Sequence, residues 1–582
     1  MSTMSNEWIC GGVYEDKRGL AAKDADLYDV AIIGAGFEGA LLGLILAKYG
    51  TKVLIIEAGT HPRFALGEST VRHTFRMMKI IGERFDIPEI KEKFSSGEQV
   101  HKYVSSQCGE KRNFGFVYHR KGQHQIPDEA NQLVIPPFRE GYEAHLLRQD
   151  TDEFLTKVAI HYGATVKFKT LVVDVEIDKN EGVTLKTAKG ATFRARYLCD
   201  GAGTNSLLAR KTGLRDEAPR FKLQSRCLFN HLIDVKPYDD LNLPHGVPRA
   251  PERWYSGTCH HLFDGGWMWV IPFDNREGST NKACSVGVHF DLTKMPKPAN
   301  MTPDEEWQQF LNDYPSIREQ FKDAKPVRDW VSTDRLQTSC KYSAGDRFFL
   351  LPSSYGSGFA DALFSRGLAT CLEVLHAFIP RLLKALKDDD FSPERFDYCH
   401  QVSENSRINN DKIVHRAYIA FKDFKLWNAW FRVWALGVGL GDLRLASIWH
   451  RYRETHDESI LPDAEEPMGL FYSNHRGFQE LFDKAGAYMD AFNEGKMSVD
   501  DTANGIMKLL AEAPFASPVA RYGDPNMRYI NLDKAEMVST LKWIFTSAPV
   551  EIKHWTLTTL GPLKHLAPKM SKTHMAATAM GM

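Results

Sequence analysis

Six residues near the start of the chain, Gly34-Ala35-Gly36-Phe37-Glu38-Gly39, place glycine at GxGxxG spacing, and an acid, Glu57, follows them. That spacing suits a dinucleotide. The first glycine turns the backbone sharply, the second lets a pyrophosphate approach the main chain, and the third lets a helix pack close to the preceding strand. Glu57 stands where a carboxylate accepts hydrogen bonds from an adenosine ribose. A second acid with glycines, Asp200-Gly201-Ala202-Gly203, ends an apolar stretch. It suits close approach to a bound nucleotide or a tight turn. The glycines alone leave FAD and NAD both open.

Such chemistry needs particular elements around it, and the sequence supplies them. Residues 30–33 are an apolar, β-branched run expected to form a buried parallel strand. A helix is predicted over 38–49, with Ala40, Leu41, Leu44 and Ile45 inward and Gly50 as its stop. A second strand is predicted over 52–56, ending at Glu57.

The remaining composition narrows the class. A chain of 582 residues can bury a large core in several units. Its net charge of -1 gives no reason to expect nucleic acid or an anionic membrane as partner. The nine cysteines are scattered, with no CxxC pair, which fits reduced thiols in a cytoplasmic protein rather than disulfides or a zinc site. No signal-like segment opens the sequence, and no apolar run is long enough to span a membrane.

Taken in order, residues 1–27 read as a polar tail. Residues 63–70, RFALGEST, form a loop ending in helix-capping chemistry. Short strands are expected from about 99 to 135, a helix over 141–162, and alternating strands from 221 to 291. Another helix is expected near 304–322, and residues 347–351 form one more buried strand before a turn-rich loop and a long helix. After about residue 390 the pattern becomes helical. Trp427, Trp430 and Trp434 fall on one face there and predict packed core. The last 14 residues read as a mobile end. The expected architecture is α/β: a dinucleotide-binding Rossmann-like unit with an inserted antiparallel sheet (about 85–140 and 215–340) inside a core of 28–390, then a mostly helical region over 391–582; the family resemblance below makes that unit FAD-binding.

Three further stretches make the chain similar to the flavin-dependent halogenases, within the clade acting on phenols and pyrroles. Trp267-Met268-Trp269-Val270-Ile271-Pro272 matches that family's WxWxIP motif. Trp267 and Trp269 point to one side of a strand and make a bulky wall. In the family, that wall stands near the flavin and keeps substrate away from it. Gly358-Phe359-Ala360-Asp361-Ala362-Leu363-Phe364-Ser365-Arg366-Gly367 resembles GFxDPLFSSG, with Ala362 for proline and Arg366 for a small residue. The resemblance implies that the amides of Arg366 and Gly367 hold chloride or bromide at a helix start. Lys111, five residues before Phe116, fits the lysine of the phenol-type members, with Lys102 and Lys121 as nearby rivals. Arg148 looks like the flavin-contacting arginine of the superfamily.

The family chemistry then implied is halogenation driven by FADH2 and oxygen. Halide is oxidised beside the flavin to hypohalous acid, which passes to Lys111 for transfer to an electron-rich ring, phenolic first. Implied partners are FAD, halide, a separate flavin reductase and a small aromatic substrate, free or tethered to a carrier protein. No motif marks a ring-proton base, although Glu143, Asp152 and several histidines are available. Competing readings are an FAD-dependent aromatic hydroxylase, a reductase of the geranylgeranyl type, and a flavin-holding scaffold without catalysis.

Overall fold

The computed structural model describes residues 27–135, 141–356, 360–464, 467, 474–531 and 534–559. The expected N-terminal tail up to residue 26, the final 14 residues, and Gly358 and Phe359 lie outside that set.

Two sheets and a helical layer organise these residues. The first sheet runs in the order Ala344–Gly345, Phe348–Leu350, Thr192–Asp200, Leu27–Ile33, Val53–Ile56, Thr165–Lys167. Leu27–Ile33 lies at its centre and is parallel to Thr192–Asp200 and to Val53–Ile56. Its residues are apolar because both faces are covered. The register sets the function of this sheet: Ile33 lies opposite both Ile56 and Asp200, and Asp200 lies opposite Leu350. Four carboxyl-terminal strand ends are therefore level. The loops that leave them carry the glycine motif, Glu57, Gly201 and Pro352, on the edge where open α/β sheets bind ligands. The helix Phe37–Lys48 is buried almost throughout, which explains its apolar composition on every side.

The second sheet has nine strands, centred on Cys284–Asp291, Gly266–Pro272 and Thr258–Phe263, with Asn113–Tyr118 and Ala130–Val134 beyond. It is mixed rather than purely antiparallel. Thr258–Phe263 pairs with Asn113–Tyr118 in parallel, and Tyr529–Ile530 joins Ala130–Val134 in parallel. The C-terminal region thus adds a strand to the sheet inserted in the core.

Other local expectations also change. Residues expected as a strand near 99–104 coil instead as Gly97–Gln99 and the wide turn Val100–Val104. The β-branched content misled there, because Ser96 caps Gln99 and starts a helical turn. Residues 143–145 are a strand, and the helix expected over 141–162 begins only at Arg148. The predicted helix near 304–322 breaks at Tyr314-Pro315, since proline can begin a helix and cannot continue one. The long helix Phe424–Thr455 splits its indoles. Trp427 and Trp434 meet Phe116 on the second sheet at 4.9 and 5.7 Å, while Trp430 turns to Phe482 at 5.5 Å. All three are fully buried. Among the described residues, no helix is long and apolar enough to cross a membrane.

Candidate active site

The glycine cradle is shaped by backbone contact. Gly34 has φ +98, and a Cβ there would sit 2.7 Å from Gly201 O. A Cβ on Gly39 would sit 2.1 Å from Gly34 O. These positions admit only glycine, which is the signature of a backbone folded tightly for a pyrophosphate. Glu57 closes the second strand. Its Oε2 accepts from Ala35 N and its Oε1 from Gly59 N, both at 2.9 Å. Arg63 was not singled out in the sequence, yet its Nε lies 3.5 Å from Glu57 Oε2, and its guanidinium stands before Gly36. The donors, the glycine cradle and the positive helix start together fit FAD.

The other predicted cradle residues are engaged with protein groups around the cradle. Phe37 turns its ring into the core against Phe94. Glu38 accepts from the Ser353 hydroxyl and amide, and burial raises its carboxyl to about 7. Arg148 holds Asp152 through two bonds of 2.8 and 3.0 Å and donates to Leu66 O at 2.6 Å. It thereby pins the loop before Gly67. Asp200 is consumed inside the fold by Ala202 N, Ser206 Oγ and Ser354 Oγ. Gly201 N donates to Ile33 O, which holds the two neighbouring loops together.

Opposite the cradle, Lys111 ends the short strand Gly109–Lys111 and is fully buried. Lys102 and Lys121, its sequence rivals, are exposed. Lys111 Nζ donates to Ser69 Oγ at 2.8 Å, Thr70 O at 2.5 Å and Ser365 Oγ at 3.4 Å. It also sits 3.2 Å from the centre of the Phe114 ring. Three acceptors and a π-face suit an ammonium. Burial opposes that charge and pulls the lysine from 10.5 down to about 7, while Glu143 works against the fall. The side chain is therefore poised between amine and ammonium near neutral pH.

Ser365 connects lysine to the halide stretch. Its hydroxyl donates to Ser69 at 2.9 Å, and its backbone is left-handed at φ 55, a strained choice for serine. The next two residues, Arg366 and Gly367, open the helix Gly367–Asp388. That helix start points its positive end at the same place. The Arg366 side chain turns away and donates to Asn410 at 2.7 Å.

Trp267, Trp269 and Ile271 lie on one face of their strand, in the same apolar cluster as Phe364, Trp427 and Trp434, while Met268 and Val270 lie on the other. Trp267 stacks on His289 at 4.8 Å and donates to Asp361 Oδ1 at 3.0 Å. The other oxygen of Asp361 accepts from Tyr418 at 2.8 Å and Ser225 at 3.2 Å. Asp361 lies inside the stretch resembling GFxDPLFSSG, and nothing in its sequence surroundings signals that it joins the indole wall to the C-terminal helices. Ser69, Thr70 and Phe114 were likewise unassigned. For Ser69 and Thr70 the GEST stretch is the signal, and it reads as capping, while Phe114 lies in an expected strand.

Residues 27–284 match the family described as FAD binding domain. The chain is 42% identical over 91% of its length to monodechloroaminopyrrolnitrin halogenase PrnC of Pseudomonas fluorescens, covering 94% of that protein. It is 38% identical over 89% of its length to tetracycline 7-halogenase of Kitasatospora aureofaciens, covering 92% of it. The crystal structure of halogenase PltM in complex with phloroglucinol and FAD superposes with a TM-score of 0.80, at 33% identity, covering 86% of this chain and 99% of that one. An FAD-binding α/β flavoprotein is thus the class. Within it, the chain belongs to the flavin-dependent halogenases, oxidoreductases that use FAD and halide.

Proposed function

We propose that this halogenase places chlorine or bromine on an electron-rich aromatic ring, phenolic first, with Lys111 delivering the halogen. The observation that carries this reading is the convergence at Lys111 Nζ of the Ser69-Thr70 loop, Ser365 at the start of the Gly367–Asp388 helix, and the Phe114 face. The phenolic class is supported by the likeness to a structure holding phloroglucinol. The pyrrole-2-carbonyl carrier-protein halogenases are more distant, at 24–26% identity, so a free ring is favoured over a tethered one.

When bound, reduced FAD would give oxygen two electrons, and oxygen would take two more from halide to yield hypohalous acid and water. The residues of the chain do the rest. The glycine cradle holds the cofactor, and the amides of Arg366 and Gly367 hold halide at the helix start. Trp267 and Trp269 wall off the aromatic substrate. The Lys111 ammonium donates a proton to the departing oxygen of hypohalous acid, so that halogen leaves as an electrophile toward the ring. A separate flavin reductase delivers the reduced flavin, and the reducing compartment that keeps the buried cysteines as free thiols is the cytoplasm.

The test is mass spectrometry of reactions with FAD, a reductase, NADH, oxygen and a panel of phenols and pyrroles, with chloride and bromide in separate runs. A halogen isotope pattern that disappears in Lys111→Ala while flavin oxidation continues is the expected result. A product heavier by one oxygen would turn the reading to ring hydroxylation. Efficient turnover with NADH and no reductase would remove the partner.

A further inference from the structure

Glu143 is a buried carboxylate of unusual standing. It lies directly opposite Lys111 in the antiparallel pair formed by Gly109–Lys111 and Glu143–His145. Directly paired residues share a face, so the two side chains are neighbours. Only 2% of Glu143 is exposed, and neither carboxylate oxygen has a hydrogen-bond partner among the described residues. A buried carboxylate left this way costs stability unless it carries a proton or serves a purpose. The arginines nearest to it are already engaged: Arg76 Nε donates to Asp442 at 2.7 Å, and Arg72 lies 3.8 Å from the same carboxylate.

Glu143 also lines a narrow cleft, partly open to solvent, with Arg72, Arg76, Lys79, Ser95 and Ser96. The other polar route from Lys111 ends blindly. Ser69 Oγ lies 2.8 Å from Thr258 Oγ1, which lies 3.0 Å from His145 Nε2, and His145 Nδ1 is spent on Pro272 O at 2.8 Å. Burial pushes His145 down to about 3, so it stays neutral and carries no proton onward. His260, on the second sheet and close enough to Lys111 to feel its charge, is held neutral in the same way.

We propose that Glu143 is the proton-exchange partner of Lys111, restoring its ammonium in each turnover and exchanging that proton with water through the cleft lined by Arg72, Arg76, Lys79, Ser95 and Ser96. The inference rests on the reading of Lys111 as the halogen-delivering group. In balance, hypohalous acid and an aromatic C–H become an aromatic C–halogen bond and water. Lys111 ammonium gives a proton to the departing hydroxide and becomes an amine. The ring hydrogen leaves as a proton to solvent. Protonated Glu143 passes its proton to the amine through an intervening water, and the resulting carboxylate takes one back from solvent through the cleft. Burial raises Glu143 to about 7, opposed by Lys111, Arg72 and Arg76 and reinforced by Asp442. Burial thus disfavours the charged form of both the acid and the amine, which keeps the neutral pair within reach of the exchange.

The test measures halogenated product and flavin oxidation from pH 5.5 to 9 in the wild type, Glu143→Gln, Glu143→Asp and Lys111→Ala, with and without added acetate. Glu143→Gln is expected to lower product formation about tenfold at neutral pH while flavin oxidation continues. Loss of the carboxylate lowers the lysine further, so the alkaline limb of the profile moves to lower pH, and acetate admitted through the cleft restores part of the rate. An unchanged rate and profile, or a drop equal at every pH with no acetate rescue, overturns the proposal. Should Glu143→Gln fail to fold, Glu143→Asp takes its place. It keeps a carboxyl at a longer reach, so product formation is expected to fall by less than the tenfold of the amide variant, and a loss as complete as in Lys111→Ala overturns the proposal. Product retained in Lys111→Ala removes the reading of Lys111 itself, and this inference with it.

Discussion

The nucleotide cradle and the lysine chamber are built on opposite plans. The cradle is a property of the backbone. Its glycines, Glu57 and Gly201 sit at three of the four level strand ends, and each is held by a main-chain contact such as Ala35 N to Glu57 or Gly201 N to Ile33 O. The chamber is a property of side chains drawn from distant segments. Ser69, Lys111, Thr258, Ser365 and Phe114 meet there, with Trp434 of the C-terminal helix standing 5.1 Å edge-on to Phe114. A backbone site tolerates almost any side chain except where a Cβ cannot fit. A side-chain site depends on each member and on the packing behind it.

Substitutions can break this contrast, and the largest effect falls on the chamber. Lys111→Ala is expected to reduce halogenated product by about 10²- to 10⁴-fold, the range for a lost proton donor. FAD affinity, followed by flavin fluorescence, is expected to stay at the wild-type value. Gly39→Ala reverses the pattern. Its Cβ would press on Gly34 O, and overpacking costs about 1–3 kcal/mol, seen as a lower melting temperature together with loss of FAD binding.

Asp361→Ala sharpens the comparison, because it strips Trp267, Tyr418 and Ser225 of their acceptor without touching the cradle. Urea unfolding is expected to show about 1–3 kcal/mol of lost stability, while FAD affinity of the folded fraction is unchanged. Trp434→Phe is expected to cost about 1 kcal/mol, the scale of one aromatic pair, and to alter the ratio of products across a phenol panel. Removing everything after residue 390 is expected to leave no folded core, since it uncovers Phe114, Phe116 and Phe364 and removes Tyr529–Ile530 from the sheet. Limited proteolysis of that truncation would check this.

The pH dependence of stability separates the two regions in another way. Lys111 is lowered from 10.5 to about 7 by burial, so between those values the unfolded chain holds a proton that the folded chain does not. Its contribution to stability therefore rises with pH across that window and is at its worst below it. Glu143 is raised from 4.5 to about 7, so its contribution falls as pH rises between those values. Lys111→Met is expected to flatten the rise on the alkaline side in urea titrations, and Glu143→Gln the fall on the acid side.

The parts legible in the sequence are those whose physics is local. The strand–glycine–helix–strand–acid order needs only neighbours in the chain, and the helix was anticipated within a residue at either end. The alternation of Trp267, Trp269 and Ile271 on one face follows from the period of a strand. Lys111 was reached by resemblance to a family. Nothing in its neighbours foretold that it would be buried while Lys102 and Lys121 stayed exposed. Residues 99–104 and 143–145 were misread because short segments with few apolar residues take their form from what packs on them.

The sequence by itself determined a dinucleotide cradle, because backbone turns and close approach are written in glycines a few residues apart. Tertiary structure alone decided the chamber. It set Glu143 across from Lys111, tied Asp361 to Trp267 and Tyr418, and laid the C-terminal helices on the second sheet. A buried charge takes its pKa, its partners and its access to water from groups far away in the chain, and only the folded packing brings those groups together.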